Sequence, residues 1–323
     1  LDDAGWQALI DNAASLSASE ALVFIDSLDA ALRAGRVSAS TYLDGMAALL
    51  QHDAWDVVEN VANSLEILSD TFEPGNMDTL QAAMRSMVRP VFDALEDDGS
   101  SGRTLLRERL LRFLIVAARD DELRAPLAEQ AVARIGLDGE PDPDAAPAGQ
   151  LETILSVGVQ DIGEPFFDRL LEQAKASADP AFRESAIGAL ARVEDPALVP
   201  KLQAAVLAGD FKGTEALGVV FRQMVRAATT EATFRWLQVN GDAIIDMIPQ
   251  TFRAQIVPAF GNAFCSRAKA DEWRAFVESH ADAVPGYERA LAQATENVLL
   301  CASLRETSQD ELLEALSTVG QSR

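Results

Sequence analysis

The sequence predicts an all-α protein, an α-α superhelix of HEAT/armadillo-like helical hairpins with about sixteen helices. Three observations carry this. Of the 323 residues 48% are hydrophobic but only 6% aromatic, Ala and Leu dominate, and β-branched runs with period-two alternation are hard to find, which is helix-forming composition. The stretch 179–210, DPAFRESAIGALARVEDPALVPKLQAAVLAGD, reads as two short helices and a tight turn, with Phe182, Ala186, Ala189, Leu190 and Val193 on one face and Leu198, Val199, Leu202, Ala205 and Val206 on the next. A hairpin this small cannot bury its own apolar face, so it must stack on neighbours of the same kind. Third, the same start and stop signals recur along the whole chain.

In order, Asp2 or Asp3 caps a helix bearing Trp6, Leu9, Ile10 and Ala13. Ser17 and Glu20 form a capping box ahead of a helix with Ala21, Phe24, Ile25, Leu28 and Leu32, which ends at Gly35. Ser38 starts the next. Asp53 caps a longer helix through Trp55, Val58, Ala62, Leu65 and Leu68, broken by Glu73-Pro74-Gly75. A helix over 77–95 follows, then a polar loop over 96–102. The helix over 103–119 is apolar almost all round, the pattern of a central helix. Asp120 to Glu122 place negative charge at the start of the next helix, which ends at Gly136. The segment 138–147, DGEPDPDAAP, holds three prolines and four carboxylates. Residues 1–323 therefore read as one α-solenoid domain with lobes 1–137 and 148–323 joined by this acidic loop. Helices over 150–160 and 164–178 precede the 179–210 hairpin. Further helices over 214–229, 231–240, 249–263, 271–280 and from 285 toward 304 follow it, with 311–319 as a terminal cap. In the 179–210 hairpin Arg183, Glu184 and Lys201 read as outward, solvated charges.

The formal charge of −24 excludes nucleic acid as a natural partner, since that needs a basic footprint, and disfavours an anionic membrane surface. It suits solubility or, more sharply, cationic ligands. No apolar run is long enough to cross a bilayer. The chain opens on Leu1 rather than Met and reads as an internal fragment, so cytoplasmic and secreted or periplasmic locations both stay open. Cys265 and Cys301 read as buried small apolar residues rather than a disulfide.

No catalytic constellation emerges. His52 and His280 lie in no H-E-x-x-H pattern, and His280 reads as a helix-end residue suited to the dipole. No nucleophile elbow, dinucleotide fingerprint or P-loop occurs. Glu59 with Asn63, and Asp161 with Glu164, are near one another on helix faces but read as solvated. The four tryptophans, Trp6, Trp55, Trp236 and Trp273, read as packing anchors. The residues alone thus supply no catalytic group and no metal site.

Several segments go further. Asp2 to Leu9, the stretch WDVVENVANSLEILS over 55–69, Asp210 to Glu215, Phe234 to Asn240 (followed by Gly241), and in the tail Phe276 to His280, Glu288 to Leu291 and Glu296 to Leu300 resemble, in order and spacing, the C-terminal HEAT-like helical domain of the M1 family of zinc aminopeptidases, of the puromycin-sensitive and endoplasmic-reticulum type. The resemblance implies a non-catalytic domain of a metallo-aminopeptidase, inactive alone. The zinc, the H-E-x-x-H helix and the G-x-M-E-N loop would lie in a preceding catalytic domain of the same polypeptide. This chain would close the chamber over that active site and contact the distal part of peptide substrates. It places a groove arginine near Arg253 and a groove residue near Glu66, each of which reads alternatively as a solvated surface group. A stand-alone HEAT-like interaction scaffold and an all-helical enzyme are the rival readings.

Overall fold

The structure is a computed structural model that describes residues 1–95 and 99–321. Glu96 to Asp98, which the sequence assigns to a polar loop, lie outside the described residues. Among the described residues there are α-helices and short 3-10 turns and no strand, as the sequence predicts. The helices are Asp3–Asp11 (α1), Ala18–Arg33 (α2), Ala39–Leu49 (α3), Trp55–Leu68 (α4), Met77–Ala94 (α5), Ser101–Val116 (α6), Asp121–Ile135 (α7) and Leu151–Asp161 (α8). They continue with Glu164–Ala176 (α9), Pro180–Leu190 (α10), Val199–Leu207 (α11), Gly213–Met224 (α12), Thr230–Asp246 (α13), Gln250–Ala259 (α14), Arg267–Ser279 (α15) and Glu288–Gln321 (α16). No described helix is long and apolar enough to cross a membrane.

The ends of these helices follow local chemistry. Asp2, Ser17, Ser38 and Asp179 each accept a backbone N–H of the first turn through a side-chain oxygen, and Ser17 with Glu20 completes the capping box. Asp53 does not cap α4: Ala54 occupies the cap position and makes no side-chain bond. At Gly35, with φ of +62°, the Arg36 N–H reaches the Ala31 carbonyl and the Gly35 N–H that of Leu32, the pairing of a glycine-terminated helix. The tail departs from expectation. Between Glu288 and Gln321 nothing breaks the helix, because the polar run Arg305 to Asp310 contains no Pro or Gly, so the expected gap before 311 is helical. In α6 the apolar wrap is also incomplete. Leu106, Leu110, Phe113, Leu114 and Ile115 are buried, whereas Arg103, Arg107, Arg109 and Arg112 face outward.

The chain packs as two units, residues 1–120 with 300–323, and residues 121–299. The division falls at 120/121, and the acidic segment 138–147 lies inside the second unit. There it is pinned by the Asp142 N–H on the Ala133 carbonyl and by buried Ala146.

In the first unit, Tyr42 and Ser64 donate to the two carboxylate oxygens of Asp29 at 2.9 and 2.8 Å, joining α2, α3 and α4. Burial, with the Asp29 charge second, pushes the Tyr42 phenol well above its usual range. Trp6 stacks on Phe24. His52 bridges two turns, its Nδ1 accepting the Ala54 N–H at 3.0 Å and its Nε2 lying 2.9 Å from the Leu16 carbonyl oxygen.

The second unit holds one continuous apolar cluster from Ala131 to Val298, with Phe166, Phe167, Phe234 and Trp273 fully buried. Each such side chain contributes about 1.5–3 kcal/mol by leaving water. Trp273 packs as the sequence suggests and donates to the Pro258 carbonyl, whereas Trp55 is partly exposed.

A regular device joins successive hairpins. Side-chain links in both units recur at a separation of one hairpin: His52 with Leu16 at 36 residues, Ser64 with Asp29 at 35, Arg183 with Glu215 at 32 and Gln173 with Ile135 at 38. Many end on helix C-terminal carbonyls, which have no partner within their own helix. Arg85 covers Ala118, Gln173 covers Ile135, Arg183 covers Ala174 and Gln223 covers Ala191.

This overturns the reading of Arg183 as solvated. Its side chain is 11% exposed, and it grips both Glu215 oxygens at 2.9 Å together with the carbonyls of Ala174 and Asp210. Lys201 is likewise paired, with Glu164 and Asp168. Neither cysteine is a free thiol, which corrects their reading as small apolar residues; spacing alone does not reveal pairing.

Candidate functional site

In the second unit α10 packs on α8 on one side and α12 on the other. Glu152 of α8 and Arg222 of α12 meet across it, Arg222 Nη1 donating to Glu152 Oε1 at 2.6 Å. Gly188 of α10 makes this crossing possible. A Cβ there would stand 2.7 Å from the Glu152 carboxylate, so a larger residue would displace it. Arg192 Nη2 approaches the same Glu152 oxygen at 3.5 Å. Alongside, Arg226 pairs with Glu194 at 2.8 Å, and Gln160 donates to the Arg192 carbonyl and to Glu194. Four guanidinium-bearing positions, Arg124, Arg192, Arg222 and Arg226, are thus gathered on this unit of an otherwise acidic chain, with Arg124 held by Asp161 and Gln160.

Next to Arg222 of α12 are apolar side chains left in solvent. Phe221 and Val225 are 48% and 45% exposed, one turn apart on the helix, and the Phe221 ring lies 6.3 Å from that of Phe260. Arg222 keeps 39% of its side chain exposed. A guanidinium has five N–H donors, and Arg222 spends one on Glu152. The surface therefore offers a fork that suits a carboxylate beside an apolar shelf. Sequence reasoning missed it. The signal present was the alternation Phe221-Arg222 and Val225-Arg226, but the partner Glu152 lies 70 residues away.

The residues singled out from sequence stand elsewhere. Arg253, on α14, donates through Nε to the Ile248 carbonyl at 2.9 Å and through Nη1 to that of Ala283 at 3.4 Å. Its Nη2 binds Asp246 at 3.1 Å. It thus closes the end of α13 and the turn after α15. Glu66 is exposed on α4, in the first unit. One turn on, Asp70 keeps part of its surface in solvent, yet packing around its carboxyl pushes its pKa up to about 6, with the Glu66 charge adding to the effect. Glu59 pairs with Arg109 and Asp161 with Arg124.

Among the described residues no group of three or more His, Cys, Asp and Glu side chains is arranged to hold a metal ion. These side chains therefore do not fit a zinc centre.

Fold and surface together define a helical-hairpin repeat protein that presents a mixed arginine and apolar face. The family of ERAP1-like C-terminal domains matches residues 1–300, and the chain belongs to that family. No curated protein matches it.

Proposed function

We propose that this chain is the non-catalytic C-terminal domain of an M1-type zinc aminopeptidase, the enzyme that removes residues from the N-terminus of peptides. In this reading it closes the chamber over the active site and contacts the distal part of the peptide. The observation that carries the reading is the family match over residues 1–300. The catalytic domain of the same polypeptide is then its partner, and the zinc belongs to that domain. The exposed Arg222 fork beside Phe221 and Val225 supports peptide contact. A peptide end carries a carboxylate that a guanidinium receives well, and an apolar last side chain would lie on the shelf. Arg253 and Glu66 remain further proposed contacts. Arg253 would have to serve the peptide while holding the Ile248 and Ala283 carbonyls.

The test joins this chain to the segment encoded before Leu1. The 323-residue chain alone should not cleave aminoacyl reporters, and the joined protein should. In the joined protein Arg222→Glu should raise KM for peptides of about ten residues by about ten- to a hundred-fold, as expected for a lost charge-assisted contact of about 1.5–3 kcal/mol, and leave short aminoacyl reporters unchanged. If no H-E-x-x-H segment precedes Leu1, the reading falls and the stand-alone scaffold replaces it. If Arg222→Glu changes long and short substrates alike, the domain reading survives but the contact at Arg222 does not.

A further inference from the structure

A separate feature of the second unit lies where α13 bends. Asn240, with φ −117° and ψ 15°, interrupts the helix. Its side-chain Nδ2 donates to the Trp236 carbonyl at 2.9 Å, a local bond that competes with the backbone's own. The helix resumes with Gly241 and Asp242, so Asp242 stands in the first turn of a new segment, where the dipole favours a carboxylate. The end of α15 packs into this bend, with His280 as its capping residue. The imidazole lies against Phe276, ring centres 4.5 Å apart. A Cβ on Gly241 would come within 3.0 Å of both His280 Nε2 and the Phe276 ring, so the bare glycine sets this approach.

The protonation pattern of His280 follows from its partners. Nδ1 lies 2.8 Å from the Phe276 carbonyl oxygen, with the Ser279 hydroxyl 3.1 Å away. A carbonyl only accepts, so Nδ1 carries the proton of the neutral ring and Nε2 holds the lone pair. That lone pair faces Asp242 Oδ1 at 3.5 Å, where two acceptors meet and no bond forms. A proton on Nε2 would turn this contact into a charge-assisted bond and place a cation at the negative end of α15. Asp246 of α13 is taken by Arg253 of α14, which also reaches the Ala283 carbonyl in the turn after His280. Glu278 and Asp282 flank His280 on its own segment and are exposed.

We propose that His280 and Asp242 form a proton-operated latch across the bend in α13. Protonated His280 ties the end of α15 to the segment 241–246, and the neutral ring releases it. Asp242 is 91% exposed, so the latch is worth about a 2- to 5-fold change in local opening, the scale of a solvent-exposed pair at a helix end.

Amide hydrogen exchange of the full chain tests this at about pH 5.5 and about pH 8, the range in which histidine serves as a switch in general, after correction for intrinsic rates. Protection over 241–246 and 280–284 should be about 2- to 5-fold higher at the lower pH, relative to α10 as internal reference. Asp242→Asn and His280→Gln should each abolish that difference while leaving α10 protected. Equal protection at the two pH values, or a difference that survives Asp242→Asn, overturns the latch. The exposed Asp242 position makes that variant a safe one to fold, and a pH effect lost only in His280→Gln would likewise assign it to another partner and overturn the pair.

Discussion

Replacing Arg183 by Met removes the clamp that joins three elements of the second unit, and its cost can be worked from the contacts. The side chain reaches the end of α9 through the Ala174 carbonyl at 2.6 Å. It reaches the segment after α11 through the Asp210 carbonyl at 2.8 Å, and the start of α12 through both oxygens of Glu215. Two carbonyls losing a charged donor cost about 1 kcal/mol each. The Glu215 carboxylate, 18% exposed, loses a bidentate partner while keeping the Lys212 N–H at 2.7 Å, which adds about 1–2 kcal/mol, below the cost for a fully buried pair. The sum is about 3–4 kcal/mol, or a fall of roughly 6–15 °C in the transition of a unit this size. Urea unfolding followed by circular dichroism and by Trp fluorescence measures it. Arg183→Lys should recover only part, since an ammonium cannot grip both oxygens and both carbonyls in one plane. The pH dependence follows from the hydrogen bond with Arg183, which lowers the Glu215 pKa in the fold. The pair's contribution is therefore complete above the unfolded carboxylate range, near 4.3, and is lost as pH falls through the depressed folded value. The difference between wild type and Arg183→Met should shrink under those acid conditions. A loss under about 1 kcal/mol, or full rescue by Lys, would mean that Arg183 is an ordinary surface arginine and would refute this account.

Two further outcomes follow from the same packing. Gly158→Ala should destabilise the second unit by about 1–3 kcal/mol, because the new Cβ would stand 2.3 Å from the buried Phe166 ring; a solvent-facing helical glycine would instead gain up to about 1 kcal/mol, so the sign of the shift in urea midpoint decides. Asp70→Asn should stabilise the first unit at neutral and higher pH. The fold raises the Asp70 pKa to about 6, so the folded state binds that proton more tightly than the unfolded chain, and ionisation costs stability as pH rises through that value. The advantage of the Asp70→Asn variant should therefore vanish below the unfolded carboxylate range, and urea midpoints that run parallel across that window would contradict the assignment.

Much of the fold was legible because its signals are local. The Ser17 and Glu20 capping box, the Gly35 stop, and the apolar faces of the 179–210 hairpin each sit within a few residues of the backbone they control, and each element appears where its signal stands. What was not legible is the polar traffic between hairpins. Arg183 looks like a surface charge in its own helix because its partners lie 9 to 32 residues away. The same is true of Gly188, whose missing side chain matters only once Glu152 and Arg222 are brought across it. The continuity of α16 escaped for the opposite reason. A polar stretch with no helix breaker resembles a gap, although polarity without Pro or Gly merely gives a helix an exposed side.

This difference bears on function. In a repeat protein each hairpin contacts only its neighbours, so surfaces are composed from residues about one repeat apart. Phe221 and Arg222 of α12 and Val225 just past its end are close in sequence, but the Arg222 guanidinium is oriented by Glu152, 70 residues away. The same logic places Arg253. A sequence search for a groove arginine finds a guanidinium at a helix start, and the structure commits three of its nitrogens to Ile248, Ala283 and Asp246. Arg222, with one donor spent and its side chain partly open to solvent, keeps donors that suit a carboxylate without dismantling the array that holds it.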